Sequence, residues 1–276
     1  MAGSFSKLFA VVHRAWIGTG LVYSVGKIRY GLPPDAFDQV LACPNALEGV
    51  VGDVTQAEAE QDQLLSILRD ELYVAVVSDV LDAGGLLEQA MDARLRPLAP
   101  GMRLVGRAHT VMTADVYVRP EEPYGPEIEA VDALRPGDVM VASTSRSERT
   151  CFWGELLSTA AVARGATGCA IDGHTRDALR IIDMGFPVFA TGFRPVDSSS
   201  RSMVVGHGCP VEVGGVVVNP GDIIFGDYDG IVVIPPDRLA DVVTAAHNKV
   251  TSENSSREML QAGATLRDVY DRYGVL

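Results

Sequence analysis

Cysteine is sparse and carries no pattern. The four residues Cys43, Cys151, Cys169 and Cys209 include no C-x-x-C pair, so a zinc site or a disulfide framework is not expected, and reduced thiols in a cytoplasmic protein fit the spacing. Positive charge is sparse too. Lys and Arg number 23 against 36 Asp and Glu, a net charge of −13. A broad nucleic-acid surface needs clustered cations, so no nucleic-acid partner is expected. A small anion held by one or two local cations stays open. No apolar run approaches the roughly 20 residues of a transmembrane helix.

Acidic residues are missing from the first 34 positions, which hold Lys7, Arg14, Lys27 and Arg29; the first carboxylate is Asp35. Phe5, Leu8, Phe9, Val12 and Trp16 fall at helical spacing and predict a basic amphipathic helix. Such a stretch suits an organelle-targeting peptide, a membrane-surface helix, a helix packed on the body or a loosely ordered extension. His13 and Arg14 interrupt the apolar run and argue against a secretory signal. Residues 1–60 therefore read as an N-terminal extension of unknown role, and residues 61–276 as the folded domain.

What is present is ordinary globular material: 47% apolar and 21% charged residues. A helix is expected from Leu64 through Asp82, stopping at Gly84-Gly85. Arg103 to Val111 and Met112 to Val118 read as strands. Pro136-Gly137-Asp138 turns into the strand Val139–Ala142. Trp153 to Arg164 reads as a helix closed by Gly165, Gly168–Ile171 as a strand, Arg176 to Met184 as a helix ended by Gly185, and Pro187–Ala190 as a strand. This alternation is the pattern of parallel βαβ units. Val211–Val213, Gly214-Gly215 and Val216–Val218 then predict a hairpin. A long helix follows Pro236, and Thr265 with Asp268 predicts a capping box on a last short helix.

In such sheets, ligands bind where loops leave the carboxyl ends of parallel strands. Two loops qualify, Ser143 to Phe152 and Asp172 to Thr175, and each delivers a helix start. Free N–H groups there favour a carboxylate, and Gly154 lets the backbone approach a ligand. Arg176 offers a planar fork for a carboxylate or enolate oxygen. Asp177 is a hard oxygen ligand of the kind that holds Mg²⁺ together with waters and substrate. Glu155 could orient those waters. Simpler readings stand beside these: Arg176-Asp177 as charges in a helix's first turn, Glu155 as a helix-start acid, His174 as a loop residue, and Asp79 and Asp82 as cap or subunit contacts.

The run from Trp153 to Asp177, W-G-E-L-L-x₆-R-G-x-x-G-x-x-x-D-G-x-x-R-D, resembles the signature of one family. It unites the 4-hydroxy-4-methyl-2-oxoglutarate / 4-carboxy-4-hydroxy-2-oxoadipate aldolases with the regulator of ribonuclease E activity A. Val77-Ser-Asp-Val-Leu-Asp82, Val211-Glu-Val-Gly-Gly-Val, Pro220-Gly-Asp-Ile-Ile and Gly226 to Pro235 match its other landmarks, and the similarity spans about residues 62–276. The resemblance implies an α/β swivelling β/β/α domain and a trimeric or hexameric homo-oligomer with its site near a subunit interface. It further implies a metal-dependent class II pyruvate aldolase that cleaves a 4-hydroxy-2-oxo acid and can also decarboxylate oxaloacetate. The metal would be Mg²⁺, with Mn²⁺ or Co²⁺ as alternatives. By the same resemblance Asp177 ligates the metal, Arg176 holds the pyruvyl oxygen, Glu155 contacts metal-bound water, and Gly154, Leu156 and Leu157 line the substrate carboxylate. The alternative is a non-catalytic regulator that binds an RNA-degrading enzyme. A methyltransferase is disfavoured, because no Gly-rich loop follows a first strand.

Overall fold

The structure, a computed structural model, describes residues 12–17, 20–25 and 59–274. The chain divides into two units, Met1–Ala59 and Glu60–Leu276. In the first unit β1 (Val12–Ile17) pairs antiparallel with β2 (Gly20–Val25), with Ile17 opposite Gly20. Val12 and Trp16 therefore lie on a strand and not on the expected amphipathic helix. β-branched and aromatic residues favour extended backbone once a partner strand is in reach. Phe5, Leu8 and Phe9 lie outside the described residues.

The second unit is built on an eight-stranded mixed sheet. Its spine is β4 (Leu104–Asp115), β5 (Asp138–Ser143), β7 (Gly168–Ile171) and β9 (Val188–Ala190), all parallel. The connections carry α3 (Gly125–Asp132), α4 (Glu155–Ala163) and α5 (Ala178–Met184), which makes the βαβ rhythm real. β3 (Arg96–Pro97) closes one edge against β9. On the other side β14 (Ile223–Asp227) and β15 (Gly230–Ile234) run antiparallel.

β4 is one continuous strand of 12 residues, where two were expected. Its first half pairs with β14 and its second half with β11 (Ser202–His207), across a bulge between Val204 and Gly206. One long strand can serve two partners because each needs only part of its free edge.

Three apolar clusters hold this together. Helical residues 59–70 (α1), α2 (Val74–Ala83) and α6 (Leu239–Gln261) pack over Val105, Ile223, Phe225, Val232 and Ile234. The expected single helix from Leu64 to Asp82 breaks at residues 71–73, where Arg103 donates hydrogen bonds to the Leu68 and Leu72 carbonyls. Those carbonyls are orphaned by the break, and the guanidinium satisfies them. The hairpin of β12 (Val211–Val213) and β13 (Val216–Val218) covers a second cluster with Leu104, Phe189 and Val233. α3, α4 and α5 pack on Met140, Cys169 and Val188 in the third. After α6, α7 (Leu266–Tyr273) carries the capping box read from Thr265 and Asp268. No described helix is long and apolar enough to cross a membrane.

Candidate active site

A small sheet of three parallel strands, separate from the large one, assembles the site. Its order is β10 (Gly192–Phe193), β8 (His174–Thr175) and β6 (Cys151–Trp153). Trp153 pairs with Thr175, and Thr175 with Phe193. The ladder continues one residue further: the Arg176 amide donates to the Trp153 carbonyl at 3.0 Å, and the Arg194 amide to the Thr175 carbonyl at 3.0 Å. The carboxyl ends of all three strands thus emerge together, followed by Gly154-Glu155, Arg176-Asp177 and Arg194-Pro195.

This corrects two helix starts. Trp153 ends a strand, and α4 begins at Glu155. Arg176 extends the ladder, and α5 begins at Ala178 with Asp177 as its cap residue. Trp153 belongs to the core: it is 1% exposed, its indole Nε1 donates to Ser158 Oγ at 2.8 Å, and its ring stacks on Phe186. Burial of that ring fixes where strand becomes helix.

Asp177 sits in the left-handed region, at φ 59° and ψ 28°. A cap aspartate ordinarily accepts from its own helix. This one makes no such bond, and its Oδ2 accepts instead from the Glu155 amide at 3.2 Å. The backbone twist, a local strain of about 1 kcal/mol, swings the carboxylate across to the start of α4. Gly154 makes room for it. A Cβ there would lie 3.0 Å from Asp177 Oδ2 and 3.2 Å from Arg176 Cγ.

Two carboxylates steady Arg176. Its Nε lies 3.8 Å from Asp177 Oδ2, and its other edge lies 3.3 Å from Asp197 Oδ1. Partly exposed pairs like these contribute about 0–1 kcal/mol each, so their effect is to aim the fork. Asp197 also accepts a hydrogen bond from the Tyr124 hydroxyl. Burial would raise the Asp197 carboxyl. The bonds from Tyr124, Ser199 and the Ser198 amide, with the Arg176 charge, outweigh that and hold it below its usual value.

Next to this pair opens a cavity of about 400 Å³, lined by Arg176, Asp177, Ala178, Phe193, Arg194 and Pro195. Its lining joins the Arg176 guanidinium, the Asp177 carboxylate and the exposed Phe193 ring, which suits a small anion with a short apolar stem, while Arg194 donates to the Glu148 carbonyl. Glu155 lies at the rim with its Oε1 accepting from Thr159 Oγ1 at 3.1 Å. Leu156 points outward, 75% exposed, and Leu157 packs against the third core cluster. As first-turn residues of α4, neither amide has an acceptor within the helix.

Among the described residues no group of three His, Cys, Asp or Glu side chains gathers. A metal here would be held by Asp177 with waters and substrate, and Glu155, whose amide bonds Asp177 Oδ2 at 3.2 Å, is the acidic residue beside it that would take a proton of such a water. That donor set fits Mg²⁺, which keeps several waters.

His174 stands behind the site, half-buried, with its ring against Gly192 and its Nδ1 without a hydrogen-bond partner. Asp79 is remote from the site and pairs with Lys249 at 2.5 Å. Asp82, on the same helix, is exposed. Asp172, which sequence reasoning placed in a turn, is buried and accepts from the Thr144 amide and hydroxyl at 2.5 and 2.9 Å. It clamps the loop in which Ser145 and Arg146 take positive φ. Sequence reasoning missed Tyr124, Asp197, Phe193 and Arg194. Only the strand pairing of β10 with β8 brings the last two into the site, and no local motif signals that.

The arrangement is an arginine–carboxylate crevice at the carboxyl ends of parallel strands on an α/β scaffold. The sequence pattern of the RraA-like family, described as Aldolase/RraA, matches residues 74–233, and the chain belongs to that family. It is 32% identical over 224 residues to protein DlpA of Legionella pneumophila, covering 78% of this chain and 35% of that protein. The chain thus spans about a third of DlpA's length. A Halalkalibacterium halodurans protein, provisionally named a 4-hydroxy-4-methyl-2-oxoglutarate aldolase, is 29% identical over 185 residues, 66% of this chain and 81% of its own. Among solved structures, Streptomyces coelicolor RraAS2, described as an unusual member of the RNase ES inhibitor RraA protein family, superposes with a TM-score of 0.63. It shares 27% identity over 70% of this chain and 95% of its own.

Proposed function

We propose that this chain is a divalent-metal-dependent lyase of the class II pyruvate aldolase type, which cleaves a 4-hydroxy-2-oxo acid to pyruvate and a second oxo acid. The observation that carries the reading is the convergence of three parallel strand ends on Arg176 and Asp177, with Gly154 making space for the carboxylate. Asp177 would hold the metal, Mg²⁺ first, with Mn²⁺ and Co²⁺ as alternatives. The bound ion would supply Lewis-acid polarisation of the 2-oxo group.

The chain's own residues do the remainder. Arg176 is aimed by Asp177 and Asp197 at the oxygen where negative charge develops as the C3–C4 bond breaks, and a fixed guanidinium there stabilises that charge. The free amides of Leu156 and Leu157 and the start of α4 receive the substrate carboxylate. Glu155, through a water at the rim, takes the proton that the C4 hydroxyl gives up as the bond breaks and returns it to the enolate carbon to complete pyruvate. Oxaloacetate decarboxylation develops charge on the same oxygen, so the site serves it as well. Among the described residues the one lysine, Lys249, is paired with Asp79 on the helical side, so no described amine stands in the site for a Schiff base.

The exposed Leu156, Leu179 and Phe193, at 75%, 77% and 63% accessible, support a homo-oligomer, trimer or hexamer, that covers this rim. Light scattering after gel filtration checks it. A second reading, a non-catalytic regulator of an RNA-degrading enzyme, draws support from the likeness to RraAS2 and from the lack, among the described residues, of a cluster of three ligating side chains. Pyruvate release from a panel of 4-hydroxy-2-oxo acids, with Mg²⁺ and with EDTA, separates the two. Mg²⁺-dependent release sustains the lyase; no release from any of them, with no binding of oxalate or pyruvate at millimolar concentration, favours the regulator.

A further inference from the structure

One carboxyl beside the site takes no part in that chemistry. Glu127 is 8% exposed in the first turn of α3, and its Oε2 accepts from Ser198 Oγ at 3.3 Å. The Ser198 amide donates to Asp197 Oδ1 at 2.9 Å, and the same Oδ1 pairs with Arg176. Tyr124, the cap residue of the same helix, bonds Asp197 directly. α3 therefore reaches Arg176 by two routes, one neutral through Tyr124 and one ionisable through Glu127.

We propose that Glu127 is a positioning residue for Arg176, acting through Ser198 and Asp197, and that its charge sets how tightly the site holds an anion. This deepens the lyase reading, because it takes Arg176 as the anion anchor.

The charged neighbours are few. On α3 itself stand Glu129 and Asp132, and Asp132 pairs with Arg164 of α4. Arg201, before β11, donates to the Asp197 carbonyl, and His207 of β11 stacks on His109. Glu155 of α4 is bonded to Thr159. Asp197 and Arg176 are the charges that bear on Glu127. Burial is the largest influence on it and pushes the carboxyl up to about 7, with Asp197 adding to the rise and Ser198 and Arg176 opposing it. A neutral Glu127 leaves Arg176 answering to Asp197 and Asp177 alone. Once ionised, it adds a second negative charge behind Asp197, which competes with an incoming anion for the guanidinium.

Two measurements test this. The first is a carboxyl ¹³C NMR titration of Glu127 in the full chain, assigned with Glu127→Gln. A midpoint near neutrality is expected, moved up by Arg176→Met and down by Asp197→Asn. A midpoint in the ordinary carboxylate range, or one indifferent to both substitutions, overturns the proposal. The second is calorimetry of oxalate with Mg²⁺ between pH 6 and 8. Wild-type affinity should fall about threefold across that window, the size expected for one added charge in a largely aqueous setting, while Glu127→Gln keeps the low-pH affinity throughout. Identical profiles in the two proteins overturn the proposal and leave the lyase reading intact. If the wild type binds no oxalate at any pH, the lyase reading falls and the NMR titration alone decides the link from Glu127 to Arg176.

Discussion

Two cavities of similar size among the described residues differ in what their polar groups are free to do. One, of about 400 Å³, lies at Arg176 and Asp177. The other, of about 370 Å³, lies between α2 and the C-terminal helices and is lined by Tyr73, Asp79, Glu253 and Arg257 among apolar side chains. In the second, polar groups answer one another: Tyr73 donates to Glu253, and Lys249 pairs with Asp79. Burial and then Glu253 push the Tyr73 hydroxyl up to about 12, so it stays a neutral donor. In the first, a strained backbone turns the Asp177 side chain away from its own helix, and two carboxylates share one guanidinium. Volume does not tell the cavities apart. Strain and unspent coordination do, because both cost stability and persist where function selects them.

The sharpest way to break this comparison is to remove one carboxylate from each cavity. Asp177→Asn should abolish metal-dependent pyruvate release, a loss of at least about 100-fold, since an amide is a much weaker Mg²⁺ ligand. Asp79→Asn should leave the rate unchanged while lowering the melting temperature slightly through the lost pair with Lys249. Equal effects in the steady-state assay would erase the distinction.

Arg176→Lys should lower kcat/KM by more than about tenfold, because the ammonium keeps the charge and loses the fork aimed by Asp177 and Asp197. A rate within about threefold of wild type, under ~1 kcal/mol in barrier, would show that charge suffices.

A stability effect sharpens the same boundary. Glu127 is held up to about 7 from 4.5 in the folded protein, chiefly by burial. A carboxyl raised on folding contributes stability below its unfolded value and loses it as pH rises through the folded one. Urea unfolding should therefore find Glu127→Gln and wild type equal near pH 4.5, and the variant more stable at pH 8 by up to about 3 kcal/mol, at 1.36 kcal/mol per unit. Equal stabilities at both pH values would mean that the carboxyl is not held neutral.

The smallest effect belongs to the second cavity. Tyr73→Phe should cost about 1 kcal/mol in the same unfolding experiment, the usual contribution of one hydrogen bond, with no change in oxalate binding.

Much of this was legible in the residues, and the rest was hidden for physical reasons. Local chemistry writes itself into short windows, so the Thr265–Asp268 capping box, the Gly185 helix end, the Val211–Val218 hairpin and the parallel alternation from β5 to β9 could all be read directly. So could the candidate group of Gly154, Glu155, Arg176 and Asp177, whose spacing across a βαβ unit implied a shared crevice. Pairing between distant segments leaves no such trace. The strand Cys151–Trp153 reads in the sequence as the end of a loop and the first residue of a helix because its partner, His174–Thr175, lies more than 20 residues away. The Val12–Ile17 strand passed for a helix because an apolar spacing cannot say whether a second strand will arrive. Only the tertiary structure decided that Asp177 turns left-handed, that Asp197 and Tyr124 aim Arg176, and that Arg194 shares the cavity. Each depends on a backbone torsion or a contact set by packing around Trp153 and the small sheet, and the residue types alone are compatible with other outcomes.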